Sequence, residues 1–539
     1  MNRVQLIILS VFTGILLSLS WPSDGFPLLL FIGLIPLLFV ENYFFENPHR
    51  SGMKIVPYAI ISFFIWNILT TYWIKNSTLT GAALAIVLNT AFMTSVFTIF
   101  HLTHRKVFGK GGGYFVLVFY WISFEHLHHN WDLNWPWLNL GNGFGNYTQW
   151  VQWYEFTGIL GGSIWVISVN ILLFLAIKHW IKGKEFHRRS LIYFGSGLSL
   201  MIVPIIISLF MYSNYVEQKN PVDITIIQPN VDPYAEQYTL PPVVIVNKIL
   251  GLCEGKVDKK TDFIVTPESA IQEYAFENEI NNKQSIVLLR NYLKQFPQAK
   301  MVLGMSTLKL YNAGEVIPIS ARKADFGTYD AYNTAVMIDT SLVFQKHHKS
   351  KLTPGVEIMP FHEALSFLDK YAIDLGGTVG TLGMDSAQTP FTVKKNLNIA
   401  PIICYESVYG EYVSKFVRNG ANIIFVITND GWWGNTPGYR QHFLFSRLRA
   451  IETRRSVARS ANTGISGFIN QRGDVSQATN YWVPAAIRQT INANDVLTFY
   501  VKHGDYLARI SVVGAGLFFL LTLVMIVIKK KKVSSFRKK

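Results

Sequence analysis

Cysteine is almost missing from this chain, with only Cys253 and Cys404 among 539 residues. A disulfide scaffold is thereby excluded, because a single Cys253–Cys404 bridge would consume both thiols. Charge is scarce as well. Asp, Glu, Lys and Arg make up 15% of the residues, against about 25% in ordinary globular proteins, and half the residues are hydrophobic. That balance excludes the three or four soluble domains the length alone would suggest. Acidic residues are the scarcer sign: 34 Asp and Glu face 49 Lys and Arg, for a net charge of +15. The excess is uneven. Residues 214–508 hold 29 basic and 27 acidic side chains, leaving 20 and 7 for the rest, so the nets are +2 and +13. The basic residues lie beside apolar segments, which is a topology signal. No nucleic-acid partner is expected.

Long apolar runs are what the chain has in abundance. Eight stand out: 4–20, 27–44, 55–74, 81–101, 113–127, 160–180, 191–213 and 510–528. Each is about long enough to cross ~30 Å of hydrocarbon. The first is followed by Trp21-Pro22-Ser23-Asp24 and not by a small-residue cleavage pattern, so it reads as a span and not a leader. The fifth is the shortest and ends in Glu125 and His126. Basic residues alternate between loops. Arg50 and Lys54, then Arg105, Lys106 and Lys110, then Lys178, Lys182, Lys184, Arg188 and Arg189 fall on one side, with the 529–539 tail. The opposite loops carry Lys75 alone. By the positive-inside rule both termini are cytoplasmic and residues 214–509 face outward. The expected organisation is a seven-span membrane domain over 1–213, an outer domain over 214–509, a closing span over 510–528 and a basic tail. Residues 128–159 hold five tryptophans and neither Lys nor Arg. They read as interfacial anchors, or as a half-embedded loop that shapes a lipid-facing opening.

The outer region has soluble composition. Short β-rich runs at 223–228, 262–266, 301–305, 333–339, 398–404 and 422–428 alternate with helical patterns at 241–252, 283–295 and 440–458. Strands alternating with helices predict an α/β domain with buried strands. Residues 371–390, with Gly376, Gly377, Gly380 and Gly383, read as a mobile loop of the kind that forms lids.

Three stretches end a strand with a residue able to do chemistry. Phe263-Ile264-Val265-Thr266-Pro267 leads to Glu268, Lys346-His347-His348 leads to Lys349, and Ile399-Ala400-Pro401-Ile402-Ile403 leads to Cys404. Taken singly, each has a plainer reading: an N-cap carboxylate, a solvated basic face, a small core hydrophobe. Adjacent His347 and His348 cannot easily share a tetrahedral metal site, so no metal is expected. Taken together, a thiol nucleophile, a carboxylate base and a lysine that stabilises an oxyanion make a set for acyl transfer.

These segments resemble the Glu-Lys-Cys set of the nitrilase superfamily. The similarity runs through Thr266-Pro267-Glu268, the stretch from His348 to Glu357 and Ile403-Cys404-Tyr405-Glu406-Ser407. It continues through Asn429-Asp430-Gly431-Trp432-Trp433-Gly434, Gln441-His442, Arg449-Ala450-Ile451-Glu452 and Ala461-Asn462-Thr463-Gly464. With the apolar spans, the whole chain resembles the superfamily's membrane branch, the bacterial apolipoprotein N-acyltransferases. The resemblance implies an α-β-β-α sandwich and a catalytic Glu268, Lys349 and Cys404. It also implies supporting Glu357, Tyr405 and Glu406, and no cofactor. It implies a phospholipid acyl donor and a diacylglyceryl-modified apolipoprotein acceptor, in the bacterial inner membrane. Two departures stand out. Residues 354–357 read Pro-Gly-Val-Glu where many members have Pro-Phe-Gly-Glu, and the tryptophan common after the first outer strand is absent, leaving Tyr234 and Tyr238. A membrane-anchored amidase for small substrates and a non-catalytic transporter or scaffold are the competing readings. Many spans argue against the first and few ionisable residues within the spans against the second.

The charge pattern predicts that a reporter fused after Lys539 is cytoplasmic and one inserted near Asn312 is external. Both reporters on one side, in accessibility labelling of whole cells, would break the eight-span topology.

Overall fold

A computed structural model describes residues 1–109, 112–183, 188–361, 381–394 and 396–536. The chain divides into two compact units, one of Met1–Tyr72, Ala82–Ser213 and Asp505–Lys539, the other of Trp73–Gly81 and Asn214–Gly504.

The first unit is helical. Among the described residues six helices are long and apolar enough to cross a membrane: Pro27–Glu46, Gly52–Asn76, Leu79–Phe108, Tyr154–Gly183, Arg188–Asn214 and Tyr506–Ile528. The other two expected spans form shorter helices, Arg3–Leu19 with 17 residues and Val116–Asn130 with 15. Small residues let the helices approach. A Cβ on Gly14 would lie 2.6 Å from Ile65 Cβ, and Ser62 Oγ donates to the Ser10 carbonyl at 2.9 Å. Glu41 is fully buried, with His101 Nδ1 at 2.8 Å and His104 Nδ1 at 3.0 Å from its Oε1. The tryptophan-rich stretch is less interfacial than its composition implies. Trp137, Leu138, Leu140 and Phe144 are buried. The backbone there is satisfied from within: Glu125 accepts from the Leu140 amide at 2.8 Å and Ser163 from the Gly141 amide at 2.9 Å.

The second unit is built on two sheets. Its strands are β1 Pro221–Gln228, β2 Phe263–Val265, β3 Ile271–Phe276, β4 Lys300–Leu310, β5 Arg322–Ala324, β6 Gly327–Ile338, β7 Gln345–His348, β8 Phe391–Lys394, β9 Leu397–Ile403, β10 Ile423–Thr428, β11 Val457–Ala461, β12 Gly467–Ile469, β13 Val475–Ser476 and β14 Ala485–Asn492. One sheet runs β14-β1-β2-β4-β6-β5, with β3 on β4 and β7 on β6; the other runs β13-β12-β11-β10-β9-β8. Alternation along each strand divides the core. Ile224, Ile226, Phe263, Val265 and Val302 face Ile399, Ile403, Ile423, Phe425 and Ile427 between the sheets. Phe263 and Phe425 meet there edge to face at 5.2 Å. Ile227, Ile264, Met301 and Leu303 face the other way, packing with Ile245, Ile249 and Cys253 of helix Pro242–Cys253 and with Ile286 and Leu289 of helix Gln284–Leu293. Helices Gly410–Arg418 and Pro437–Thr453 belong with the second sheet, completing the expected α-β-β-α sandwich. Cys253 is a core residue, and burial pushes its thiol up to about 12.

Residues 371–380 of the expected lid lie outside the described residues. The described remainder is tied down: the Leu382 amide donates to the Glu357 carbonyl and the Gly383 amide to the Ala331 carbonyl, each at 2.9 Å. A close backbone approach fixes the chain around Glu268. In β4, Gly304 passes directly under Pro267, Glu268 and Ser269, and its amide donates to the Pro267 carbonyl at 3.1 Å. A Cβ on Gly304 would fall 2.5 Å from the Ser269 nitrogen and 2.6 Å from the Glu268 Cα. Both obstacles are backbone, so neither yields cheaply. Gly304→Ala is expected to cost about 1–3 kcal/mol, read as a fall of several degrees in Tm. An unchanged Tm would show that the β2–β4 edge is slack.

Candidate active site

Strand ends of both sheets bring the sequence-predicted residues together. Glu268 follows β2, Lys349 follows β7 and Cys404 follows β9. Lys349 Nζ donates to Glu268 Oε1 at 2.9 Å and to Glu357 Oε1 at 2.8 Å. Asn333 of β6 reaches the same two oxygens, its Nδ2 at 2.8 Å from Glu268 and 3.1 Å from Glu357. The other oxygens are held by backbone: the Asn429 amide donates to Glu268 Oε2 at 3.0 Å and the Thr353 amide to Glu357 Oε2 at 2.9 Å. Burial works against the ammonium, but Glu268 and Glu357 outweigh it and hold the Lys349 pKa well above the ordinary lysine value. Burial likewise raises Glu357, and Lys349 overrides it, so its carboxyl stays below the usual range.

Cys404 opens a single 3₁₀ turn, Cys404–Val408, directly off β9. Its φ is 48°, a left-handed conformation that costs a non-glycine residue about 1–3 kcal/mol and turns its side chain abruptly off the sheet. The turn is fixed from several directions. Ser407 Oγ donates to the Cys404 carbonyl at 2.7 Å, and His442 Nε2 lies 3.1 Å from the same oxygen. Burial and then Glu268 push the thiol well above its ordinary value, more than Lys349 lowers it. The resting group is therefore a thiol.

Tyr405 and Glu406 follow Cys404 in the same turn. Glu406 is fully buried and accepts from the Ile403 amide at 2.8 Å, the Ser350 amide at 2.7 Å and the Tyr412 hydroxyl at 2.5 Å. It thus fastens the residue after Lys349 to the residue before Cys404. His347 Nε2 lies 3.3 Å from it. Burial opposes the charge on His347, but Glu406 and Asp385 raise it to about 9, so the pair is ionic at neutral pH. The Tyr405 ring is buried and meets Tyr409 edge to face at 5.2 Å.

Sequence reasoning assigned no role to several residues here. Asn333 was one residue of a β-rich run and His442 one of a helix, and neither pattern flags a polar contact. Asp430 Oδ1 lies 2.8 Å from His442 Nδ1, and Arg459 donates to Asp430 Oδ2 at 2.8 Å. Burial followed by Arg459 keeps His442 below its usual pKa despite Asp430, so the ring is neutral. Ligating atoms of Cys404, Asp430 and His442 lie within 4.8 Å of one another. The Asp430 carboxylate is nonetheless already taken up by Arg459, His442 and Thr428, so its charge is balanced without a metal ion. Chemically, the site offers a partly buried thiol together with a carboxylate paired to an ammonium.

Two family models match the chain: the apolipoprotein N-acyltransferase N-terminal domain over residues 13–172 and carbon-nitrogen hydrolase over residues 224–496. Full-length relatives agree. An apolipoprotein N-acyltransferase of Chlorobaculum tepidum is 27% identical, with 96% of each chain covered. One of Geobacter metallireducens is 25% identical over 94% of each chain, and one of Thermotoga maritima 25% identical over 94% of this chain and 92% of its own. With six membrane-length apolar helices among the described residues, this is an integral membrane protein. A sandwich whose strand ends converge on Cys404, preceded by a helical unit of the matching kind, places the chain in the carbon-nitrogen hydrolase family, in the branch that carries the apolipoprotein N-acyltransferase N-terminal domain.

Proposed function

We propose that the protein moves an acyl chain from a membrane phospholipid, through a thioester on Cys404, to the N-terminal amine of the S-diacylglyceryl-cysteine of apolipoproteins. The observation that carries this reading is the Lys349 ammonium clamped between Glu268 and Glu357 beside a strained Cys404. The reading puts the catalytic unit on the outer face of the inner membrane, where both lipid-anchored substrates reside, with both chain termini cytoplasmic.

Glu268 is the base. As Cys404 Sγ attacks the ester carbonyl carbon, its proton passes to Glu268, and the new oxyanion is stabilised by Lys349 Nζ. Collapse breaks the acyl carbon–oxygen bond, and Glu268 returns the proton to the departing lysophospholipid oxygen. The acceptor amine then attacks the thioester, Glu268 takes its proton, and as the carbon–sulfur bond breaks Glu268 passes that proton to the departing sulfur, restoring the thiol and the base. A thioester reacts with amines more readily than the starting ester does, so dividing the reaction lowers its barrier. Glu357 and Asn333 hold Lys349 and Glu268 in register, and Glu406 keeps the lysine and cysteine segments together.

The kinetics are expected to be ping-pong. Without acceptor, labelled phospholipid should load one acyl group per protein, released by neutral hydroxylamine. Cys404→Ala should neither load nor transfer, and Cys404→Ser should be badly impaired, because Glu268 is a weak base for an alcohol. Acyl transfer that survives in Cys404→Ala would overturn the covalent mechanism. Turnover of small amides without any lipid loading would favour the amidase reading.

A further inference from the structure

The connector Trp73–Gly81 takes in the end of the helix Gly52–Asn76 and the start of Leu79–Phe108, yet it clusters with the sandwich. Its contacts are specific. Asn76 Nδ2 donates to the Trp433 carbonyl at 2.7 Å, and Ser77 Oγ to the Trp432 carbonyl at 3.0 Å. The Tyr234 hydroxyl lies 2.9 Å from the Asn76 carbonyl and 2.8 Å from that of Trp432. Trp73 is buried, with its ring 4.8 Å from that of Trp433. Two glycines make room for this. A Cβ on Gly438 would strike the Trp73 ring at 2.6 Å, and one on Gly434, whose φ is 63°, would lie 3.0 Å from Asn76 Nδ2.

Trp433 leads onward. Its ring lies 5.5 Å from that of His442, and His442 Nε2 is 3.1 Å from the Cys404 carbonyl. Asp430 holds the opposite nitrogen of His442 at 2.8 Å. The imidazole is thus fixed by a carboxylate at one nitrogen and an indole against its ring, and it bears on the backbone carbonyl of the strained cysteine. A left-handed cysteine persists only where its surroundings over-determine it. We infer that the connector 73–81 is a positioning part of the active site, in which Trp73 and Asn76 hold the Trp432–Trp433 turn against His442 and so set the aim of Cys404. This rests on the acyl-transfer reading of the site.

The test uses full-length protein in detergent and mixed micelles of labelled phosphatidylethanolamine and phosphatidylglycerol. Single-turnover loading of Cys404 separates two quantities: the amplitude reports the folded fraction and the rate constant reports positioning. Asn76→Asp removes the amide donor at constant shape, and Trp73→Leu removes the ring. Each is expected to lower the rate constant roughly tenfold, about the effect of one lost hydrogen bond, with amplitude and half-saturating lipid near those of the parent protein. Trp73→Phe, which restores a ring, should recover most of the rate. Rate constants equal to the parent's, or losses confined to amplitude, would overturn the inference. Alkylation of Cys404 by iodoacetamide needs no lipid and supplies an independent arm, in which a change of at least roughly threefold is expected for Asn76→Asp and Trp73→Leu. If the parent protein loads no acyl group, the transfer reading fails, and the alkylation rates alone decide the role of the connector.

Discussion

One ammonium between two carboxylates sets the character of this site. Glu268 comes from one segment and Lys349 and Glu357 from another, and the buried Lys349 ammonium is held charged by the two carboxylates. The cluster carries one net negative charge beside a thiol. Burial, and then Glu268, hold the Cys404 thiol well above its ordinary value. In the proposed acyl transfer, a nucleophile held as a thiol until its substrate arrives is protected from adventitious oxidation and alkylation, which require the thiolate. It also makes proton removal part of the attack.

The rest of the sandwich keeps that cluster in register. Glu268 rides on β2 and rests on Gly304 of β4, so its position is set by two paired strands. Lys349 and Cys404 belong to different sheets. The ties of Glu406 to the Ile403 and Ser350 amides span that gap through backbone groups, which are less mobile than side chains. Protonated His347 balances the charge that Glu406 would otherwise bury unpaired. The helix that carries His442 closes the far side of the cysteine turn. Polar groups this deep cost stability unless their partners are present, and here main-chain amides of Asn429, Thr353, Ile403 and Ser350 supplement the side-chain partners.

Much of the fold was legible because buried strands announce themselves. Ile423–Thr428 is buried at every position and reads as an unbroken apolar run, and the runs ending in Glu268 and Cys404 behave the same way. Strands that lie at an edge or carry polar faces did not stand out. β14, with the sequence Ala-Ala-Ile-Arg-Gln-Thr-Ile-Asn, owes its place to β1, a pairing partner far away in the chain. Chemical type and strand-end position singled out Glu268, Lys349 and Cys404. Asn333 and His442 were given no role because an amide in a strand or an imidazole in a helix carries no periodicity of its own. The connector at Trp73 escaped for a third reason: its partner Trp433 lies 357 residues from Asn76, and local pattern cannot register a contact of that range.

The central claim is that Glu268 accepts the Cys404 proton while Lys349 holds it in place. The most direct measurement is rapid-quench thioester formation in Glu268→Gln, which keeps the side-chain shape and removes the base. The expected result is a loading rate reduced on the order of 10²–10⁴-fold with phospholipid binding retained. A rate within a few fold of the parent protein, with the thioester still on Cys404, would contradict it.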